Sequence, residues 1–287
     1  MALLLVCDAF VPRDAFAPRS LARSPRVRLS AVTGAEVDDV IDKLMELPGY
    51  EVPGAVAKFL PAVSNKDFFL RIAQKVDEAS DEELKDRYAN LADAVVKTLN
   101  VLVESTEDKM DTAAKTLQQV LSAAAEDDGE FLVPLSAEKR DALKVAVTDN
   151  FSALDQTFLS TVNSWMKKSQ EDKLDGMVGI LQKVLQFWAS QALLSAPRSA
   201  SEAGGDDASF DVLRELLDLD AESWDSYLKE TFNADAPRCS PEALLSTIQR
   251  RMEAIVLNEE SGSMSQQIKA EFIQELAGQV EAMCKAP

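Results

Sequence analysis

The sequence predicts an all-α fold, an antiparallel helical bundle of long helices with a smaller C-terminal helical unit. Three observations carry that reading. Ala, Leu, Glu, Asp and Lys dominate, while Gly (10), Pro (11) and aromatic residues (6%) are scarce, the statistics of helix formers. Apolar residues recur at spacings of three and four over long stretches, the period of one helix face. No segment alternates apolar and polar residues over a strand's length.

In order along the chain, Thr33-Gly34-Ala35-Glu36 is a capping box, in which the threonine accepts from the first turn and the glutamate reaches back. A helix follows to Leu47 with Val37, Val40, Ile41 and Leu44 on one face, and Pro48-Gly49 stops it. Leu47 to Gly54 contains two Pro-Gly pairs, which favour turns, so it reads as a defined loop. A short helix is expected over Ala55–Leu60, then one from Asn65 to Val76 capped by Ser64 and carrying Phe68, Phe69 and Ile72.

Ser80-Asp81-Glu82-Glu83 is a second capping box. It opens a stripe through Leu84, Tyr88, Leu91, Val95, Leu99, Leu102, Met110, Ala113, Leu117, Val120 and Ala124. The polar run Glu104 to Lys109 interrupts it, so a hairpin and one bent helix both fit. Asp127-Asp128-Gly129 ends the stripe, and Phe131 to Leu135 reads as an extended connector on the core. Ser136 then caps one helix to about Lys168, with Leu143, Val147, Phe151, Leu154, Phe158, Val162 and Trp165 as its stripe. The helix from Leu174 to Leu194 is apolar over much of its circumference, which places it at the centre of the bundle.

Ala196 to Asp207 is rich in Pro, Ser and Gly and reads as a linker. Two short helices, Phe210–Leu219 and Ala221–Phe232, come next. Ser240-Pro241-Glu242 starts a helix to Leu257, with Pro at its first position. Ser263-Met264-Ser265-Gln266 is a third capping box, opening the terminal helix with Ile268, Phe272, Leu276, Val280 and Met283. The expected division is 1–31 as a targeting presequence, 32–195 as the main bundle, 196–208 as a flexible linker and 209–287 as the C-terminal unit.

Charge separates the first of these from the rest. Residues 1–31 carry five arginines against Asp8 and Asp14, whereas the remaining 256 residues hold 25 basic and 47 acidic side chains. A basic, Ser- and Ala-rich leader on an acidic body fits an organelle transit peptide. Cys7-Asp8-Ala9-Phe10-Val11-Pro12 and Ala15-Phe16-Ala17-Pro18 resemble the Ala-Phe-Ala-Pro junctions of bipartite plastid presequences in algae with red-lineage secondary plastids. The apolar stretch Ala2–Cys7 is shorter than the signal part of that pattern. The resemblance implies plastid import, and Val27 to Val32 looks like a stromal processing site. With no second apolar stretch after it, stroma is favoured over lumen. The body, in its Leu47–Pro61 and Gly176–Gln186 stretches, is loosely similar to nucleus-encoded plastid helical proteins of algae and plants whose functions are unknown.

Composition excludes several function classes. The chain has no histidine, so Ser-His and Cys-His nucleophiles, imidazole-ligated haem and the Glu-x-x-His di-iron bundles are ruled out. A net charge of −19 opposes binding to phosphate backbones, so no nucleic acid is expected as a partner. No run approaches the roughly 18 apolar residues of a membrane span, so no transmembrane segment is expected and membrane contact would be peripheral. Cys239 and Cys284 lie far apart outside any CxxC pattern and read as spare thiols rather than zinc ligands.

Candidate sites are few. Glu126, Asp127, Asp128 and Glu130, and again Asp218, Asp220 and Glu222, offer carboxylates without the spacing of a calcium loop; solvated helix ends explain them. Gly176 and Gly179 are too short a motif for a phosphate loop, and close helix packing explains them. Tyr50, Phe59, Phe68 and Phe69 stand among prolines and read either as a partner-binding surface, since aromatic residues dominate interface hot spots, or as a lid on one end of the bundle. Trp165 and Trp188 read as core, with a slot beside them as a place for pigment or lipid. No catalytic residue, cofactor or metal is expected. The function that follows is a non-enzymatic plastid interaction, assembly or regulatory protein whose partner is another plastid protein. The alternative is a carrier of an apolar plastid ligand such as a tetrapyrrole, carotenoid or lipid, and an enzyme without histidine ranks third.

Overall fold

A chain built from helix formers becomes helix almost throughout. The computed structural model describes residues 34–199 and 206–285; they are all-α, with twelve helices and no strand among them. The targeting segment, the Thr33 cap and the middle of the expected linker lie outside the described residues. The helices form two units, one up to Lys109 and the other from Met110 onward.

The first unit contains α1 (Gly34–Glu46), α2 (Val52–Lys58), α3 (Leu60–Val63), α4 (Lys66–Glu78) and the first part of α5 (Glu82–Ser122). Val37, Val40, Ile41 and Leu44 of α1 bury against Val52, Val56, Val63, Phe68, Ile72, Leu91 and Val95. Ion pairs fasten α4 to α1: Arg71 grips Asp38 through Nε at 2.7 Å and Nη2 at 3.2 Å, and Lys75 reaches Asp42 at 3.0 Å. The paired fork geometry makes Arg71–Asp38 the stronger of the two, and it holds the Asp38 carboxyl below its ordinary range. Two caps differ from expectation by one residue. Asn65, not Ser64, accepts from the Asp67 amide at 3.1 Å, because Ser64 closes α3. Asp81, not Ser80, accepts from the Glu83 amide at 3.1 Å.

The long stripe resolves into one continuous helix of 41 residues, α5. Its middle is bare: Asn100 to Thr112 are exposed apart from half-buried Leu102, and Met110 is 54% exposed. Met110 was expected in the buried stripe. The polar run Glu104 to Lys109 shifts the helix to solvent, and burial resumes only at Ala113, Leu117, Val120 and Leu121.

The second unit is organised around α8 (Asp175–Ser195), which buries ten residues from Ile180 to Leu193, as its sequence predicts. α6 (Ala137–Asp149), α7 (Gln156–Glu171), α9 (Asp207–Asp218) and α12 (Met264–Lys285) pack on it, with α10 (Trp224–Asn233) and α11 (Pro241–Asn258) completing the unit. The single helix expected from Ser136 to Lys168 is broken into α6 and α7. The Asn150 side-chain Nδ2 donates back to the Ala146 carbonyl at 2.8 Å, a short 3-10 turn covers Phe151–Ala153, and Asp155 restarts the helix by accepting from the Phe158 backbone amide at 3.0 Å. The bend is held from outside, since the buried Trp188 indole donates to the Leu154 carbonyl at 2.9 Å.

The boundary expected at 196–208 is not where packing divides. Val212, Leu213, Leu216 and Leu217 of α9, Trp224 of α10 and Phe272 of α12 share one core with Leu181 and Trp188 of α8. The residues beyond the linker therefore complete the α8 core instead of forming their own, and the division falls inside α5.

Candidate functional sites

The four aromatic residues singled out from sequence do not form one surface. Tyr50, in the turn after α1, is 82% exposed. Phe59 is half-buried, with the Lys43 ammonium 6.0 Å from its ring centre. Phe68 is wholly buried and so is not a partner-binding residue. It lies four positions before Ile72 on the inward face of α4, and that period puts it in the core. Phe69, one step round the helix, is half-buried and meets Phe68 edge-on at 5.5 Å. Leu60 (40% exposed) and Leu70 (59%) add outward apolar side chains on the neighbouring turns.

The carboxylate clusters are tied to cations or to backbone. Asp220 receives Lys183 at 2.7 Å, Glu222 receives Arg140 at 2.5 Å and Asp218 receives Lys144 at 2.8 Å. Asp128 accepts from the Glu130 amide at 3.0 Å to shape the turn at Gly129, whose φ of +84° suits glycine. Among the described residues no group of three or more Cys, Asp or Glu side chains is disposed to hold a metal ion. These contacts also do structural work. The last turn of α9 leaves carbonyls without helical donors, and three other elements supply them. The Trp224 indole donates to Leu216 at 2.8 Å, the buried Ser190 hydroxyl donates to Leu217, and the Lys144 ammonium donates to Asp218 at 2.5 Å.

Gly176 is required by packing. A Cβ there would stand 2.9 Å from the Val133 methyl group, where the connector crosses the start of α8. Gly179 has nothing within 4 Å of such an atom. Cys239 is buried and Cys284 exposed, both as free thiols, and burial pushes the Cys239 thiol up from its ordinary value. Glu215 accepts from Arg238 at 2.8 Å and from the Tyr227 hydroxyl. Burial, then the bond to Glu215, pushes the Tyr227 phenol up to about 12. On α12, burial pushes the Glu275 carboxyl up to about 7 against the pull of Lys183 and Gln186, and one of its oxygens has no hydrogen-bond partner.

One concave site stands apart from these. The end of α8 with Ala196, Pro197 and Ser199 after it, the second half of α11 with Asn258 and Glu259, and the first turns of α12 line a groove of about 450 Å³. Its wall is Ala192 and Leu193 on α8, then Ala254 and Ile255 on α11, all nearly buried and continuous with the core. Arg251, Glu259 and Lys269 supply its charge. Arg251 is only 4% exposed, and its guanidinium carbon lies 5.6 Å from the Phe210 ring centre. Lys269 binds Glu259 at 2.5 Å and sits 5.6 Å from the Trp188 ring centre. Burial works to raise the Glu259 carboxyl, but the Lys269 ammonium outweighs it and holds the group below its ordinary value.

The slot expected beside Trp165 and Trp188 is thus displaced. Trp188 is buried against Phe151 at 6.3 Å and Trp165 is half-buried on the core, while the open volume begins one turn further along α8. Sequence reasoning missed Arg251 and Lys269, which read as ordinary helix-surface charges. The one signal was local: Arg251 follows Leu244, Thr247 and Ile248 on the buried side of α11.

No protein-family model, curated protein or solved structure matches the chain.

Proposed function

We propose that this chain is a non-enzymatic plastid protein that acts by contact, as an assembly, scaffold or regulatory factor for another plastid protein. The observation that carries the reading is the exposure of large apolar side chains on the first unit: Tyr50 is 82%, Leu70 59% and Leu60 40% exposed, and Phe59 and Phe69 are half-buried. The core of that unit is built without Tyr50, Leu60 and Leu70. Large aromatic and aliphatic side chains held outward on rigid turns are what partner recognition uses. The polar groups of the second unit pair with one another: Glu215, Tyr227 and Arg238 face one another, and Asp218, Asp220 and Glu222 face Lys144, Lys183 and Arg140. Such pairs tie neighbouring elements of the unit together. The plastid assignment rests on the arginine-rich leader and its presequence resemblance alone.

Affinity capture of the tagged chain from plastids tests both parts. One protein co-purifies in fixed ratio, and the Tyr50→Ala/Leu70→Ala double variant loses it while keeping its circular dichroism and melting temperature. Capture that is indifferent to the double variant overturns the surface assignment. A full-length fluorescent fusion that stays in the cytosol overturns the compartment.

A second reading, a carrier of an apolar plastid ligand, is favoured by the α8–α11–α12 groove, which lies in the other unit.

A further inference from the structure

We infer that the part of α5 belonging to the first unit carries a docking seam for a basic amphipathic helix of another protein. The inference uses none of Tyr50, Leu60 and Leu70 and stands or falls without them. In the first unit α5 outruns the core that supports it. Leu91 and Val95 are buried and Leu99 still packs on that core, but from Asn100 to Lys109 the helix is exposed apart from half-buried Leu102. The apolar side chains do not stop where the core stops. Val96 (42% exposed), half-buried Leu99 and Val103 (57% exposed) stand at i, i+3 and i+7, the spacing by which one helix lies against another. Ala92 and Thr106 extend the line, seven residues either side of Leu99. The valines thus hold one position of a heptad and Ala92, Leu99 and Thr106 the other. Branched residues at the first and Leu at the second suit a seam between two helices. Helix without tertiary support is marginal in water, and a helix laid on this seam supplies that support.

Charge names the kind of helix. Asp93, Asn100, Glu104 and Glu107 follow one another at helical spacing along one edge of the seam. Asp93 is already paired with Lys97 at 2.7 Å. Glu104 and Glu107 are exposed, and among the described residues neither is paired with a cation. From Asn100 to Lys109 the helix holds Glu104, Glu107 and Asp108 against Lys109 alone, in a chain of net charge −19. A second copy of the chain would bring the same acidic stretch to the seam, and like charges across an interface repel. The complementary occupant lays apolar residues on Val96, Leu99 and Val103 and sets Lys or Arg beside Glu104 and Glu107. Charges flanking an apolar seam are what fix partner choice between helices.

Fluorescence anisotropy of the full chain with a labelled three-heptad peptide tests this, with Leu at both seam positions of the peptide and Lys flanking them. Two control peptides accompany it, one with the same residues shuffled and one with Glu in place of Lys. The ordered Lys peptide is expected to bind one-to-one and about tenfold or more tightly than either control. Val103→Asp, at an exposed site, is expected to weaken it by a similar factor with circular dichroism unchanged. Glu104→Lys/Glu107→Lys is expected to weaken the Lys peptide and to admit the Glu peptide, a reversal that loss of folding would not produce. Hydrogen exchange of amides 100–109 is expected to slow when the Lys peptide is bound. Equal affinity for the ordered and shuffled peptides, no saturable binding, or unchanged exchange along α5 overturns the seam. Indifference of both charged peptides to the double reversal overturns the basic partner. Tyr50→Ala/Leu70→Ala is expected to leave peptide binding unchanged, so failure here leaves the other surface standing; loss of the peptide in that variant overturns the assignment to α5.

Discussion

Phe68 and Tyr50 stand eighteen positions apart in one aromatic-rich segment, yet burial gives them opposite roles. Phe68→Ala removes a wholly buried ring and is expected to cost about 3–5 kcal/mol, whereas Tyr50→Ala at an 82% exposed site is expected to stay within about 0.5 kcal/mol. Urea denaturation of the two variants checks the pair. The distinction was legible in part. Phe68, Ile72 and Val76 keep the helical period and Phe69 does not, so the period separates the two neighbours even though composition groups them. Glu275 carries a different prediction. Its carboxyl sits near 7 in the folded chain against an ordinary value of 4.5, with burial as the main cause. Between those values the folded state holds a proton that the unfolded state has released, so stability falls as pH rises through the window. Below it both states are protonated and the cost vanishes. Above pH 7 the cost is complete. Glu275→Gln is therefore expected to stabilise the chain at pH 8 by about 1–2 kcal/mol, discounted for partial solvent screening, and to leave stability at pH 4 unchanged. Equal effects at the two pH values would remove burial as the cause. Nothing in the sequence marked Glu275, because its neighbours Lys183 and Gln186 come from a helix ninety positions earlier.

Helix starts were readable because a cap is a local device. Ser136, Ser240 and Ser263 each accept from the amide three residues on, at 3.2, 3.2 and 3.1 Å, as their spacing predicts. Helix interruptions were not. The α6–α7 break contains neither Gly nor Pro, and its apolar stripe runs through without a change of period; the break depends on Asn150, on Asp155 and on Trp188 reaching in from α8. Asp155→Ala, which removes the cap of α7, is expected to cost about 1 kcal/mol, and thermal melting of the variant checks it. The long α5 shows the converse, a helix that persists where packing stops. With Asn100 to Thr112 exposed apart from Leu102, its hydrogen bonds there lack tertiary support, and helix stability in proteins comes mostly from such support. Amides of 104–110 are therefore expected to exchange with solvent faster than those of 113–121. Uniform protection along α5 in hydrogen-exchange mass spectrometry would refute this.

Fold class was fixed by composition and period, but unit membership was not, because it depends on which apolar faces pair across the chain. The Pro/Ser/Gly-rich stretch after Ala196 looks like a boundary, yet α8 before it and α9 after it share one core, while the division lies inside a helix that no local signal interrupts cleanly. Two separate hydrophobic cores follow, one around Ile41, Val63 and Phe68 and the other around Leu181, Phe158 and Leu217. Chains with two such cores depart from all-or-none unfolding. Scanning calorimetry is expected to resolve two transitions. The second core buries far more side chains and includes the fully buried Trp224, so it is expected to melt higher. Phe68→Ala should lower the first transition and spare the second, and Leu181→Ala should do the reverse, since residues in separate cores with no shared partners act additively. A single transition lowered by both substitutions would instead mean that α5 couples the two cores into one cooperative unit.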